Sequence, residues 1–130
     1  MSGKKSQLPP PIFTTTDVYG NYISLGRGTW EGHIVVEHPD MAGLELLVEN
    51  VIVDPALIRT SSKSNTGVAF ISDPGIGPRP EGIRVLVNYS DTYYEMGASS
   101  GIVQTAYPID IFQYGNPQLA RIIYERKGKK

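Results

Sequence analysis

Two histidines, His33 and His38, are the only imidazoles in the chain, and both stand in "WEGHIVVEHPDMAGLE", Trp30–Glu45. A neutral imidazole near pH 7 is the common general acid or base. Glu37 precedes the second histidine and Pro39 follows it. On one continuous helix a spacing of five would set the two rings about 140° apart, at about 100° per residue. They would not face one another. Pro39 biases His38 away from α backbone, so the pattern predicts a break there, and the break lets both rings face a shared cleft. The plainer reading packs His33 on the core side beside Trp30 and Ile34 and leaves His38 to cap a helix joint. A zinc pair of the protease type needs His at i and i+4 with a glutamate after the first. Here the spacing is i, i+5, no third histidine exists, and Glu37 or Asp40 would have to complete the set. Neither a metal nor another cofactor is expected.

The second constellation is "GIVQTAYPI". Strict strand alternation would put Val103, Thr105 and Tyr107 on one face and Ile102, Gln104 and Ala106 on the other. Thr105 and Tyr107 would then point the same way, where two hydroxyls can orient a phosphate or donate a proton. The plainer reading is that Thr and Tyr are good strand formers. Other chemistries lack their residues. There is no cysteine, which removes disulfides, thiolate metal sites and a cysteine nucleophile. No Gly-x-Ser-x-Gly elbow is present. "GIGPRPEG" is followed by no helical pattern and cradles no phosphate.

These side chains must be held by elements, and the elements read as follows. "DVYGNYISL", Asp17–Leu25, is a turn at Gly20-Asn21 and then a short strand. Thr29 is an expected helix N-cap, with a short helix running to about Glu37. Pro39 and Asp40 open a second helix, and Leu44, Leu47, Val48, Val51 and Ile52 form its apolar face. Asp54-Pro55 stops it. "ALIRT", "GVAFIS", "GIRVLVNYS" and "GIVQTAYPI" are strand-like runs separated by turn-rich segments. Pro74–Pro80 is an exposed loop. "NPQLARIIYERK" fits a helix or a last strand, and the helix is preferred. Helices followed by strands is the α+β pattern.

The chain has 130 residues, enough for one domain with a real core. Residues 1–12 form an arm that includes "PPP", 13–126 the single α+β domain, and 127–130 a basic tail. No stretch approaches the roughly 20 apolar residues of a membrane helix, and no signal peptide is seen, so a cytoplasmic protein without membrane contact is expected. Net charge is −1, yet seven of twelve basic residues lie near the ends. Between Ser6 and Ala120 there are five basic and twelve acidic residues. A nucleic-acid binder ordinarily shows a basic face, so this middle argues against a nucleic-acid partner unless the few cations cluster.

The order of the pieces resembles one nuclease group. Asp17-x-x-Gly20-Asn21-x-Ile23-x-Leu25 leads into Trp30-x-x-His33-Ile34-x-x-x-His38-Pro39-Asp40, then a helix ending in "VDP", strands and a late "TAY". This looks like the phage-type members of the barnase–EndoU–colicin–RelE superfamily, abbreviated BECR or PBECR, many of them toxin or effector domains. The resemblance covers roughly Asp17–Tyr107. It implies two N-terminal helices packed on a curved antiparallel sheet of about four strands. It also implies metal-independent RNA cleavage to a 2′,3′-cyclic phosphate, and an immunity or antitoxin protein as partner. By this resemblance His33, His38, Thr105 and Tyr107 are the catalytic positions. Arg59, Lys63, Arg84 and Trp30 are the expected substrate contacts. The acidic middle departs from the group's usual Lys and Arg supply, and the segment from Ile109 onward has no counterpart. Two other classes therefore stand beside the nuclease: a non-enzymatic interaction module of phage or mobile-element origin, and a small-molecule-binding α+β domain.

Overall fold

A computed structural model describes residues 10–109 and 119–126. It is an α+β fold built on one seven-stranded mixed sheet. The chain enters through a hairpin, β1 (Phe13–Thr16) and β2 (Tyr22–Leu25). Its turn is made by side-chain chemistry. One carboxylate oxygen of Asp17 accepts the backbone N–H groups of Tyr19 and Asn21, each at 2.9 Å. Gly20 sits at φ 98°, which L side chains resist. The turn expected at Gly20-Asn21 and the strand after it are both present, but β1 is a strand that sequence patterning did not pick out.

Helix α1 follows in three continuous pieces: α-helical Arg27–Thr29, π-helical Trp30–Ile34 and α-helical Val35–Glu37. It starts before Thr29. Gly26, with extended backbone, is the N-cap, and Thr29 lies inside the helix. Trp30 and Ile34 are its buried residues. The helix ends at His38, whose φ/ψ of −134°/76° is the break that Pro39 requires. A 3₁₀ turn, Pro39–Met41, leads to helix α2, Glu45–Val53. Val48, Val51 and Ile52 are the buried face of α2, and Leu44 and Leu47 are partly buried against the same core.

The four expected strands follow as β3 (Leu57–Ser61), β4 (Gly67–Ile71), β5 (Ile83–Tyr89) and β6 (Ser100–Pro108). They form an antiparallel meander. This meander is the middle of the sheet, not the whole of it. The order is β1-β2-β6-β5-β4-β3-β7, with β2 running parallel to β6. The last strand, β7 (Leu119–Glu125), pairs antiparallel with β3. The helix expected over the C-terminal segment is therefore a strand. "ARIIYE" carries helix formers, but β3 offers an unpaired edge, and pairing outweighs a weak propensity.

One face of the sheet carries the core. Ile23, Leu25, Ile58, Phe70, Val85, Val87 and Val103 pack with Trp30 and Ile34 of α1 and Val48, Val51 and Ile52 of α2. The opposite, outer face carries Arg59, Arg84, Leu86 and Tyr107, set by the register of β3, β5 and β6. Ile123 and Tyr124 of β7, and Val18 and Tyr19 of the first turn, pack against the same core. Among the described residues no helix is long and apolar enough to cross a membrane.

Candidate functional site

The geometry of β6 decides where the second constellation points. Val87 pairs with Val103, and the next residue back, Leu86, pairs with Thr105. Gln104 is therefore an extra residue, a β-bulge, and a bulge re-aims the side chains beyond it. Val103 stays on the core face. Past the bulge Ala106 is buried at 0 % exposure, while Thr105 and Tyr107 turn to the outer face. The expected grouping of Val103 with Thr105 and Tyr107 is corrected by this one residue. Thr105 and Tyr107 do share a face, but it is the face away from the helical core.

Tyr107 is the centre of a cluster. Arg84 lies directly across on β5, and its Nη1 donates to the Tyr107 hydroxyl at 3.1 Å. The guanidinium carbon also stands 5.6 Å from the ring centroid, within cation–π range. The His38 ring is its other neighbour, centroid to centroid 5.4 Å and tilted by 37°. His38 gets there because α1 ends at the Pro39 break and its preceding turns lie along β6. The structure thus joins His38, Tyr107 and Arg84.

His33 goes elsewhere. Its Nδ1 lies 3.7 Å from Glu37 on the half-exposed side of α1. The shared cleft expected for His33 with Thr105 and Tyr107 is corrected: the histidine that meets Tyr107 is His38. Trp30 is 3 % exposed and belongs to the core, so its indole presents no surface to a substrate. Its aromatic character misled, because apolar spacing Trp30–Ile34 is equally a core stripe.

The expected cations collect on the outer face. Arg27 and Arg79 pair with Glu31 and Asp40 at 3.3 and 3.4 Å. Arg59 and Arg84 line one hollow of about 200 Å³, together with Leu57, Glu81 and Ile122. Lys63 lines a second, of about 250 Å³, with Ser61, Leu86, Asn88, Gln104 and Tyr107. Tyr107 and its partner Arg84 stand on the boundary between the two hollows. Arg84 is itself only 3 % exposed. Its reach is toward Tyr107 more than toward solvent. Arg126 of the basic end is engaged structurally, with Asp73 and, at 3.1 Å, Asp54.

Sequence reasoning missed Ser61, Asn88 and Gln104. A signal for Asn88 was present: Arg84, Leu86 and Asn88 alternate along β5, polar at both ends. Gln104 needed the bulge. Away from this face, Asp17 is buried and accepts from the Tyr89 hydroxyl and from Asn21 Nδ2 at 2.9 Å. Asn21 also donates to the Tyr94 carbonyl at 2.8 Å and accepts from the Ser99 N–H at 3.0 Å. Burial, then the Asp17 hydrogen bond, push the Tyr89 phenol well above its usual range. Every polar atom of this network is engaged within the protein, so the Asp17–Asn21 motif is a lock between the first turn and β5, not a reaction centre. Among the described residues no three histidine or carboxylate side chains gather where a metal ion could be held.

No family model, no curated protein and no solved structure matches the chain.

Proposed function

We propose that the protein is a metal-independent ribonuclease domain of toxin or effector type, working on the outer face of the sheet. The observation that carries this reading is the contact row His38–Tyr107–Arg84. An imidazole and a phenol side by side can serve as base and acid. RNA brings its own nucleophile. His38 takes the proton of the ribose 2′-OH as that oxygen bonds to phosphorus. The bond from phosphorus to the 5′-oxygen breaks, and the Tyr107 hydroxyl gives that oxygen its proton. Arg84 already donates to the Tyr107 oxygen, so the phenolic proton is directed elsewhere. The product is a 2′,3′-cyclic phosphate. No water needs activating in this step, so no metal-bound hydroxide is called for. Thr105, on the same face, holds a phosphate oxygen. Arg59 and Lys63 attract the backbone on either side. The order of motifs shared with the BECR group agrees with this reading.

The test is cleavage of RNA by purified protein with chelator present, with fragment ends analysed for cyclic phosphate. Cyclic ends from wild type, lost in His38→Ala, support the reading. One observation favours the interaction-module alternative: Arg84 is buried and the surrounding chain is acidic, which offers phosphates few exposed cations. Protein that cuts no RNA and is harmless on expression moves the reading to that alternative, with an immunity or antitoxin protein no longer implied.

A further inference from the structure

We propose that the open edge of β1 is a self-association seam, where a second copy of the chain adds its own β1 antiparallel and joins the two sheets into one. The proposal does not depend on the ribonuclease reading. β1 stands first in the sheet order, and among the described residues no strand pairs with its far side. Its pairing with β2 determines what that side offers. The Asp17 N–H donates to the Asn21 carbonyl at 3.0 Å, and two residues back Thr15 lies opposite Ile23. Antiparallel pairs alternate between hydrogen-bonded and non-bonded. Thr15 therefore turns its backbone groups to β2, while Thr14 and Thr16 turn theirs to the open edge. Both of these threonines are exposed.

Edge strands are ordinarily guarded by charge, proline or bulges. β7, at the other end of the sheet, is guarded: it shows Arg121 and Glu125 to solvent, and its register with β3 shifts twice. β1 reads FTTT and carries no charge. Beside it on the outer face stand Tyr22 at 69 % and Ile102 at 59 % exposure, next to Thr16 and Ser24 in the register. This uncharged strip can meet a copy of itself without repulsion. Pro10 and Pro11 carry no N–H, and the Asp17 turn closes the other end, so the seam is confined to Ile12–Thr16. The two-fold register that bonds both outward residues to each other sets Thr14 opposite Thr16 of the second copy, with Thr15 opposite Thr15 on the axis. It makes four N–H···O bonds and two threonine pairs, a favourable cross-strand match. The axis is normal to the sheet, so both outer faces look the same way. A seam this short falls below the roughly 1,200 Å² of a stable interface, so the dimer is reversible.

Sedimentation velocity of the full chain from about 10 μM to 1 mM should show a monomer–dimer equilibrium, the range suited to so small a contact. The double variant Thr14→Lys/Thr16→Lys sets like charges directly opposite across the seam and should stay monomeric throughout. The chain has no cysteine, so one introduced thiol reads the register. Two Thr15→Cys thiols would stand on a non-hydrogen-bonded pair with Cα atoms about 4.5 Å apart, within disulfide reach. Two Thr16→Cys thiols would lie diagonally, about 7–8 Å apart and beyond it. Under mild oxidation Thr15→Cys should give a covalent dimer on a non-reducing gel and Thr16→Cys should remain monomeric. Wild-type protein that is monomeric over the whole range overturns the seam. So does a dimer that the lysine variant leaves intact, a Thr15→Cys variant that does not crosslink, or equal crosslinking of the two cysteine variants.

Discussion

At the residue scale the two histidines separate cleanly. His38 touches Tyr107, while His33 pairs with Glu37 on the surface of α1. His38→Ala should slow RNA cleavage about 10²–10⁴-fold, the usual worth of a positioned acid or base. His33→Ala should leave the rate within roughly a factor of three, as for a surface change away from the site. Single-turnover rates of both variants decide this, and equal losses would return His33 to the site. Tyr107→Phe removes the hydroxyl and keeps the ring. It should cut kcat and spare KM, because the proton matters only in the transition state. Arg84 would lose this one bond, and a hydrogen bond from a charged group is worth about 1.5–3 kcal/mol of stability. A melting curve of the same variant reads that cost. Both histidines were visible in the chain, but which one reaches Tyr107 was not, since a half-exposed helical ring and one at a helix break differ only by where the strands lie.

The element that sets the site is β6, and its working part is the bulge. Residues 103 and 105 lie on opposite faces only because Gln104 is unpaired. Deleting Gln104 should leave a regular strand with Val103 inward, Thr105 outward, Ala106 inward and Tyr107 outward. The protein should fold with a modest loss in melting temperature. Deleting Ala106 instead shifts the side-chain phase and should prevent folding, because one-residue slips move a strand's whole apolar set to the wrong face. Circular dichroism of the two deletions tells them apart. At the other edge, Arg126 joins β7 to Asp73 and Asp54, and its backbone N–H reaches the Ala56 carbonyl at 2.9 Å. Arg126→Ala should speed amide exchange in Arg121–Glu125 while the β5–β6 amides stay protected. Exchange followed by mass spectrometry resolves the two segments.

For the whole molecule the buried tyrosines set the alkaline limit. Burial is the first cause that lifts both Tyr19 and Tyr89 above the usual phenol range, and the Asp17 hydrogen bond adds to it for Tyr89. A raised folded-state value means that the folded protein holds the phenolic proton more tightly than the unfolded chain. The stabilisation is complete below the unfolded value of about 10 and is lost as pH rises above it. Denaturant midpoints should therefore be flat through neutral pH and fall above about pH 10. Tyr89→Phe should be less stable at neutral pH, with Asp17 short of a donor, and should show a shallower alkaline fall. An unchanged alkaline slope in that variant would show that Tyr89 is not the group responsible.

What the chain alone determined was local. The presence of two short helices, the break at His38, the four central strands and the turn at Gly20-Asn21 follow from periodicity, proline and turn chemistry, all of which act over a few residues; the helix starts do not, since the first lies before Thr29 and the second at Glu45 rather than at Pro39. The hydroxyls of Thr105 and Tyr107 were also legible as a pair, since two residues two apart share a strand face. Everything that depended on a distant partner was decided by tertiary structure. The C-terminal segment became β7 because β3 had an edge to fill. Gln104 became a bulge because β5 fixes the pairing on both sides of it. Trp30 went inward because α1 lies against β6. His38, not His33, met Tyr107 because contacts between residues about 70 positions apart are selected by packing, and no local pattern encodes them.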